Sequence, residues 1–135
     1  MANVPYASAV DSLMYAMVSM RPDIAFVVGV VTRFMANLSS KHWEAIKWLL
    51  RYLKGTASIA LCYKKGKVIL KRYMDTDLGR DLDYRKSTSR YVFTLGGTAI
   101  SWMSKLQKYV ALSTTEAEYV AISEAGKEIF WLRSF

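Results

Sequence analysis

The chain has 135 residues, 53% of them apolar and 13% aromatic, with 19 Lys and Arg against 11 Asp and Glu for a net charge of +8. That length makes about one domain at roughly 150 residues each, with room for a real core, and that composition excludes a disordered chain. A single cysteine, Cys62, and a single histidine, His42, exclude an internal disulfide and a Cys-rich zinc site, while the positive balance suits an acidic partner such as nucleic acid.

The opening MANVPYASAVDSLMYAM has no basic n-region and carries Asp11, unlike a signal peptide. The apolar runs 13–20 and 24–31 are split by Arg21-Pro22-Asp23. Each falls short of the ~18–20 residues a bilayer span needs. The expectation is a soluble intracellular protein with no membrane partner.

Taken in order, residues 1–55 read as helical. Residues 6–20 are rich in Ala and Met, both good helix formers. Pro22 suits the first turn of a second helix to about residue 36. After the loop Asn37-Leu38-Ser39-Ser40, Trp43, Ile46, Leu50 and Leu53 make one apolar stripe at helical spacing, and Gly55 is expected to end that helix at its C′ position. From Thr56 the pattern turns strand-like. Residues 59–63 and 68–74 flank the lysine-rich turn Lys64-Lys65-Gly66-Lys67, and residues 75–89 read as a polar loop. Residues 91–95 and 98–103 flank Gly96-Gly97, a hairpin signal. Residues 109–112 suggest one more short strand. The last helix begins near Thr114, where Ser113-Thr114-Thr115-Glu116 matches a capping box. Its stripe of Ile122, Ala125, Ile129 and Leu132, run back four residues, lands on Glu118 and not on Glu116.

Three carboxylates carry the chemical interest. Asp75 and Asp77 lie where the 68–74 strand runs out, and an i, i+2 pair on a continued strand shares one face. With Glu118 they would form a set of hard oxygen donors suited to Mg²⁺, and two such ions can drive phosphodiester cleavage. The same spacing also fits a solvated turn and a fraying helix start. Lys64, Lys65, Lys67, Lys71 and Arg72, flanked by Tyr63 and Tyr73, form one basic run, and Arg85, Lys86, Arg90, Lys105 and Lys108 form a second. Either suits phosphate binding with base stacking or an ordinary solvated face.

The run YMDTDLGRDLDYRKSTSRYVFTLGGTAISWMSKLQKYVALSTTEAEYVAISEAGKEIFWL resembles the ribonuclease H domain of copia-type LTR-retrotransposon Pol polyproteins. The stretch before it, PYASAVDSLMYAMVSMRPDIAFVVGVVTRFMANLSSKHWEAIKWLLRYLKGT, resembles the segment that connects reverse transcriptase to that domain. The specific signal is the order of RKSTS, SW-x-SK-x-Q and LSTTEAEY. The resemblance implies an α+β protein. Residues 1–55 would be a helical connection segment, and residues 56–135 the N-terminal half of a ribonuclease H-like domain, an antiparallel three-stranded meander with a packed helix. It implies two-Mg²⁺ hydrolysis of RNA in RNA–DNA hybrids. Asp75 and Glu118 match two catalytic, metal-binding acids, Asp77 is a further candidate ligand, and Lys64, Lys65, Lys67, Arg85 and Lys86 are candidate nucleic-acid contacts.

Two further family acids fall beyond Glu128 and are not in this sequence. Isolated activity is therefore not expected, and the family function leaves a binding remnant or an inactive, self-associating fragment as alternatives. The partners implied are nucleic acid and the rest of a Pol polyprotein. The sequence departs from the family pattern in several places: Gly79-Arg80 replaces Ala-Gly, and Arg90, Asp11 and Met20 stand where Gly, Gly and Thr are usual. An arginine at position 90 would be strained if the backbone there were left-handed.

Overall fold

The computed structural model describes residues 3–63, 65–79, 81 and 83–135. The chain divides into two compact units, Met1–Cys62 and Tyr63–Phe135.

The first unit holds three helices, α1 (Tyr6–Met20), α2 (Ala25–Arg33) and α3 (Ser40–Gly55), with a 3₁₀ turn at Pro22–Ile24 between the first two. Proline occupies the first position of that turn, where its missing N–H costs no hydrogen bond. The three helices bury Tyr6, Val10, Leu13, Ile24, Val28, Val31, Ile46 and Leu49 in one apolar cluster, with Trp43 and Leu53 packed against it. The α3 stripe therefore runs through Leu49, and Leu50, expected inward, is exposed. Gly55 is the last helical residue and has no positive φ. The end of the helix is capped by Thr56, whose backbone N–H donates to the carbonyls of Tyr52 and Leu53. His42 has a structural use. Its Nδ1 accepts the Ser39 backbone N–H at 3.2 Å, completing a capping box, and its ring stacks on Phe34 at 4.0 Å.

A polar cluster closes the same bundle. Arg21 donates to both oxygens of Asp23, at 3.0 and 2.8 Å, and to Thr56 Oγ1 at 2.7 Å. The Tyr52 hydroxyl donates to Asp23 Oδ2 at 2.7 Å. These bonds link the α1–α2 turn to the end of α3.

The second unit is strand–strand–strand–helix: β1 (Leu70–Asp77), β2 (Thr88–Leu95), β3 (Thr98–Leu106) and α4 (Thr114–Arg133). The sheet order is β1-β2-β3, antiparallel throughout. Gly96 and Gly97, with φ of 61° and 82°, form the two-residue hairpin link, a conformation that side-chain-bearing residues adopt only with strain. A register shift between Phe93 and Thr94 bulges the β2–β3 pairing.

Several expectations are corrected here. Residues 59–63 form no strand, although they are apolar, and they lie exposed. Residues 109–112 form none either. The expected loop 75–89 is shorter at both ends, because β1 continues through Asp77 and β2 begins at Thr88. The packed face of α4 runs through Ala117, Ala121 and Ala125, while Ile122 is 48% exposed. Glu118 therefore sits beside the packed face and not within it. At the start of α4 the expected cap forms, with Ser113 Oγ accepting the Glu116 N–H at 3.1 Å. The Glu116 carboxylate accepts from Leu112 N at 2.8 Å, one residue short of the reciprocal capping-box bond.

The Arg21–Asp23–Tyr52 cluster makes a pH prediction. The Arg21 hydrogen bond, with that of Tyr52, pulls the Asp23 carboxyl from 3.8 down to about 2. A carboxyl depressed by folding adds stability above its unfolded value and loses it as pH falls through its folded value. Asp23→Asn should lower stability at neutral pH by about 1 kcal/mol, discounted because the side chain is partly exposed. In urea denaturation, the difference between wild type and variant should vanish between pH 3.8 and about 2.

Candidate active site at the β1 edge

The alternation of β1 decides which groups can meet. Thr76 pairs with Ser89, and Met74 with Tyr91. That face is covered by α4: Gln107 Nε2 donates to both Ser89 Oγ and the Ala117 carbonyl, each at 2.9 Å, and Ser101 Oγ donates to Glu128 Oε1 at 2.6 Å. The burial of the Tyr91 hydroxyl beside Glu128 and Glu124 pushes its pKa up. Asp75 and Asp77 therefore project from the opposite face. There they meet Arg90, which lies directly across from Asp75 in the β1–β2 register.

Asp75 nevertheless forms part of the wall of a groove at the sheet edge. Met74, Asp75, Thr76, Glu118, Ala121 and Ile122 line one cleft of about 230 Å³. Both acids that the resemblance selected thus share a cavity, one from the strand and one from the first turns of the helix.

Asp77 lies close by in a different setting. Its side chain is only 14% exposed, against 70% for Asp75. Its Oδ1 accepts the Thr88 backbone N–H at 2.8 Å. Its Oδ2 lies 3.6 Å from an Arg90 guanidinium nitrogen, which is also 3.1 Å from Asp75 Oδ2. Asp77 ties the end of β1 to the start of β2. Arg90 has ordinary strand backbone, since Arg85, with φ of 54°, is the only non-glycine residue at positive φ among the described residues. The arginine at position 90 therefore brings no backbone strain.

The donor set does not fit a two-metal centre. Among the described residues, no three His, Cys, Asp or Glu side chains converge to hold an ion, and both β1 acids face a guanidinium.

The candidate phosphate contacts are spread over the second unit. Lys65, Lys67 and Arg85 are exposed and Lys86 is half-buried, its ammonium 6.0 Å from the centre of the Tyr84 ring. Lys64 lies outside the described residues.

Sequence reasoning missed the residues that position this site. Ser87 and Ser89 are buried, and Gln107 is 2% exposed. Ser87 Oγ accepts the Gly79 N–H at 3.1 Å, and the Ser87 carbonyl accepts the Gln107 N–H at 2.8 Å. RKSTS, SK-x-Q and TEAEY thus meet in one hydrogen-bonded network. Ser87 and Gln107 flank the ends of strands, where backbone groups need partners, but nothing in their spacing pairs them with each other.

The comparisons with known proteins agree on a family. The chain is 62% identical over 135 residues, its whole length, to the retrovirus-related Pol polyprotein from transposon TNT 1-94 of Nicotiana tabacum, of which it covers 10%. It is 39% identical over 130 residues to the Pol polyprotein from transposon RE2 of Arabidopsis thaliana, covering 96% of this chain and 9% of that protein. It is also 48% identical over 133 residues to the secreted RxLR effector protein 161 of Plasmopara viticola, covering 98% of this chain and 94% of that protein. No family model and no solved structure matches. The chain belongs to the family of copia-type retrotransposon Pol-related proteins. It spans about a tenth of the length of the Pol polyproteins it matches.

The buried amide makes the second prediction. Gln107→Met keeps the volume but removes the donor to the buried Ser89 hydroxyl and the second bond to the Ala117 carbonyl. It should cost about 2–3 kcal/mol in urea denaturation, with amide exchange accelerated first in the opening turn of α4.

Proposed function

We propose that residues 56–135 are a ribonuclease H-type segment of a copia-type Pol polyprotein, and that residues 1–55 are the segment joining it to a polymerase. The observation that carries this reading is the cleft shared by Asp75 and Glu118, built from an antiparallel meander and the helix packed on it. By descent the activity is Mg²⁺-dependent hydrolysis of the RNA strand in RNA–DNA hybrids. Residues 1–135 do not carry it alone, because two carboxylates across one cleft cannot hold two ions. The remainder of a Pol polyprotein is the partner that would complete the site.

The activity left to these residues is phosphate binding. The net charge of +8 and the exposed cations Lys65, Lys67 and Arg85 support it, with Lys86 beside them. Counterion release makes such binding steeply salt-dependent and indifferent to sequence.

A labelled RNA–DNA hybrid separates these statements. In Mg²⁺ or Mn²⁺ the chain should bind without cutting. Cleavage abolished by both Asp75→Asn and Glu118→Gln would refute the inactivity and establish the two acids as a working site. Binding should weaken linearly on a log–log salt plot. Combined Lys65→Ala, Lys67→Ala, Arg85→Ala and Lys86→Ala should flatten the slope by about 3.6, near 0.9 per lost phosphate contact. An unchanged slope would remove these residues from the interface.

A further inference from the structure

We propose that Arg90 is a tethered counter-cation for the β1 acids, holding Asp75 and Asp77 in an internal ion pair and keeping divalent cations off their carboxylates. The inference rests on the geometry of the pair and does not depend on the hydrolytic reading. One guanidinium nitrogen of Arg90 approaches Oδ2 of both acids, at 3.1 Å for Asp75 and 3.6 Å for Asp77. The second oxygen of Asp77 is engaged by the Thr88 N–H. Asp77 thus has a partner at each oxygen, and Asp75 has a cation against the oxygen nearest its neighbour.

The strand pairing makes this arrangement durable. Arg90 and Asp75 are directly opposed in the β1–β2 register, and Asp77 follows two residues along on the same face. The guanidinium is therefore delivered by the sheet itself. It needs no capture from solution, so its effective concentration beside the acids far exceeds that of a free ion. Mg²⁺ needs close oxygen contacts in near-octahedral geometry. To obtain them from Asp75 it would have to displace the guanidinium or sit beside it, and like charges at that separation repel. Among the described residues no third acid converges to compensate.

The test is a Mn²⁺ titration of the full chain, read by paramagnetic broadening of backbone amide signals. Wild type should show no saturable broadening centred on Asp75, Thr76 and Glu118. Arg90→Gln should gain it, binding Mn²⁺ about tenfold tighter or more once the positive charge is gone. Asp75→Asn in that background should abolish the gain, and Arg90→Lys, which keeps the charge, should not produce it. Saturable broadening in wild type equal to that of Arg90→Gln would overturn the proposal. So would a folded Arg90→Gln chain that binds no better than wild type. Should Arg90→Gln not fold, the wild-type titration decides alone: broadening centred on Asp75 refutes the tethered cation, and its absence alongside the same result for Arg90→Lys supports it. Hydrolysis is not part of the readout, so the failure of either reading leaves the other standing.

Discussion

The second unit depends on a buried amide. Its apolar core is small: among the described residues, Phe93 from the sheet and Ala117, Ala121 and Ala125 from the helix are its buried apolar members. Alanines let a helix approach a sheet closely, but each buries little more than one methyl group, about 0.8 kcal/mol. Such a surface attracts without specifying a position, and a helix could slide along it. Gln107 removes that freedom. Its side chain bonds β2 through Ser89 and the first turn of α4 through the Ala117 carbonyl, while its backbone N–H bonds the Ser87 carbonyl. A buried amide N–H₂ that loses these partners carries its full desolvation penalty, so the register that keeps both Nε2 bonds is preferred, although Oε1 has no hydrogen-bond partner. Glu118 is the next residue after Ala117, and its place in the cleft is set by the same bonds.

The two β1 acids divide their work by burial. Asp77 is nearly enclosed and takes the Thr88 N–H, a structural bond that joins the end of one strand to the start of the next. Asp75 is largely exposed at the sheet edge and lines the cleft. The i, i+2 spacing alone treats them as equivalent. What separates them is the loop between β1 and β2, which brings Thr88 over Asp77 only.

The helices were legible in the sequence because their long apolar stripes meet real partners. The short elements were read less well, each for a physical reason. Residues 59–63 are apolar but exposed and pair with no strand among the described residues, and apolarity without a strand partner makes no strand. Asp75–Asp77 and Thr88–Ser89 read as loop because they are polar, yet their polarity is spent on the cleft, the ion pair and the serine–glutamine network. On α4 the larger Ile122 outweighed the alanines in the stripe, although close approach to a sheet favours the smaller residues. Asp75 and Glu118 were legible as candidates from motif order. Gln107 and the buried serines were not, since uncharged polar residues reveal their use only when the elements around them are placed.

Position 90 shows how separable fold and chemistry are in this unit. The resemblance implies glycine there, and the arginine of this chain sits on ordinary strand backbone. The β1–β2 register runs unbroken from Leu70–Leu95 to Asp77–Thr88. The added side chain finds its partners on the adjacent strand and loads no strain onto the sheet. Its electrostatic effect falls on Asp75 and Asp77, the two acids of β1. The hydrogen bonds that place Glu118 pass through Gln107 on the other face, so they are untouched by it. One substitution can therefore change the charge around the β1 acids while the scaffold that builds the cleft stays as it was.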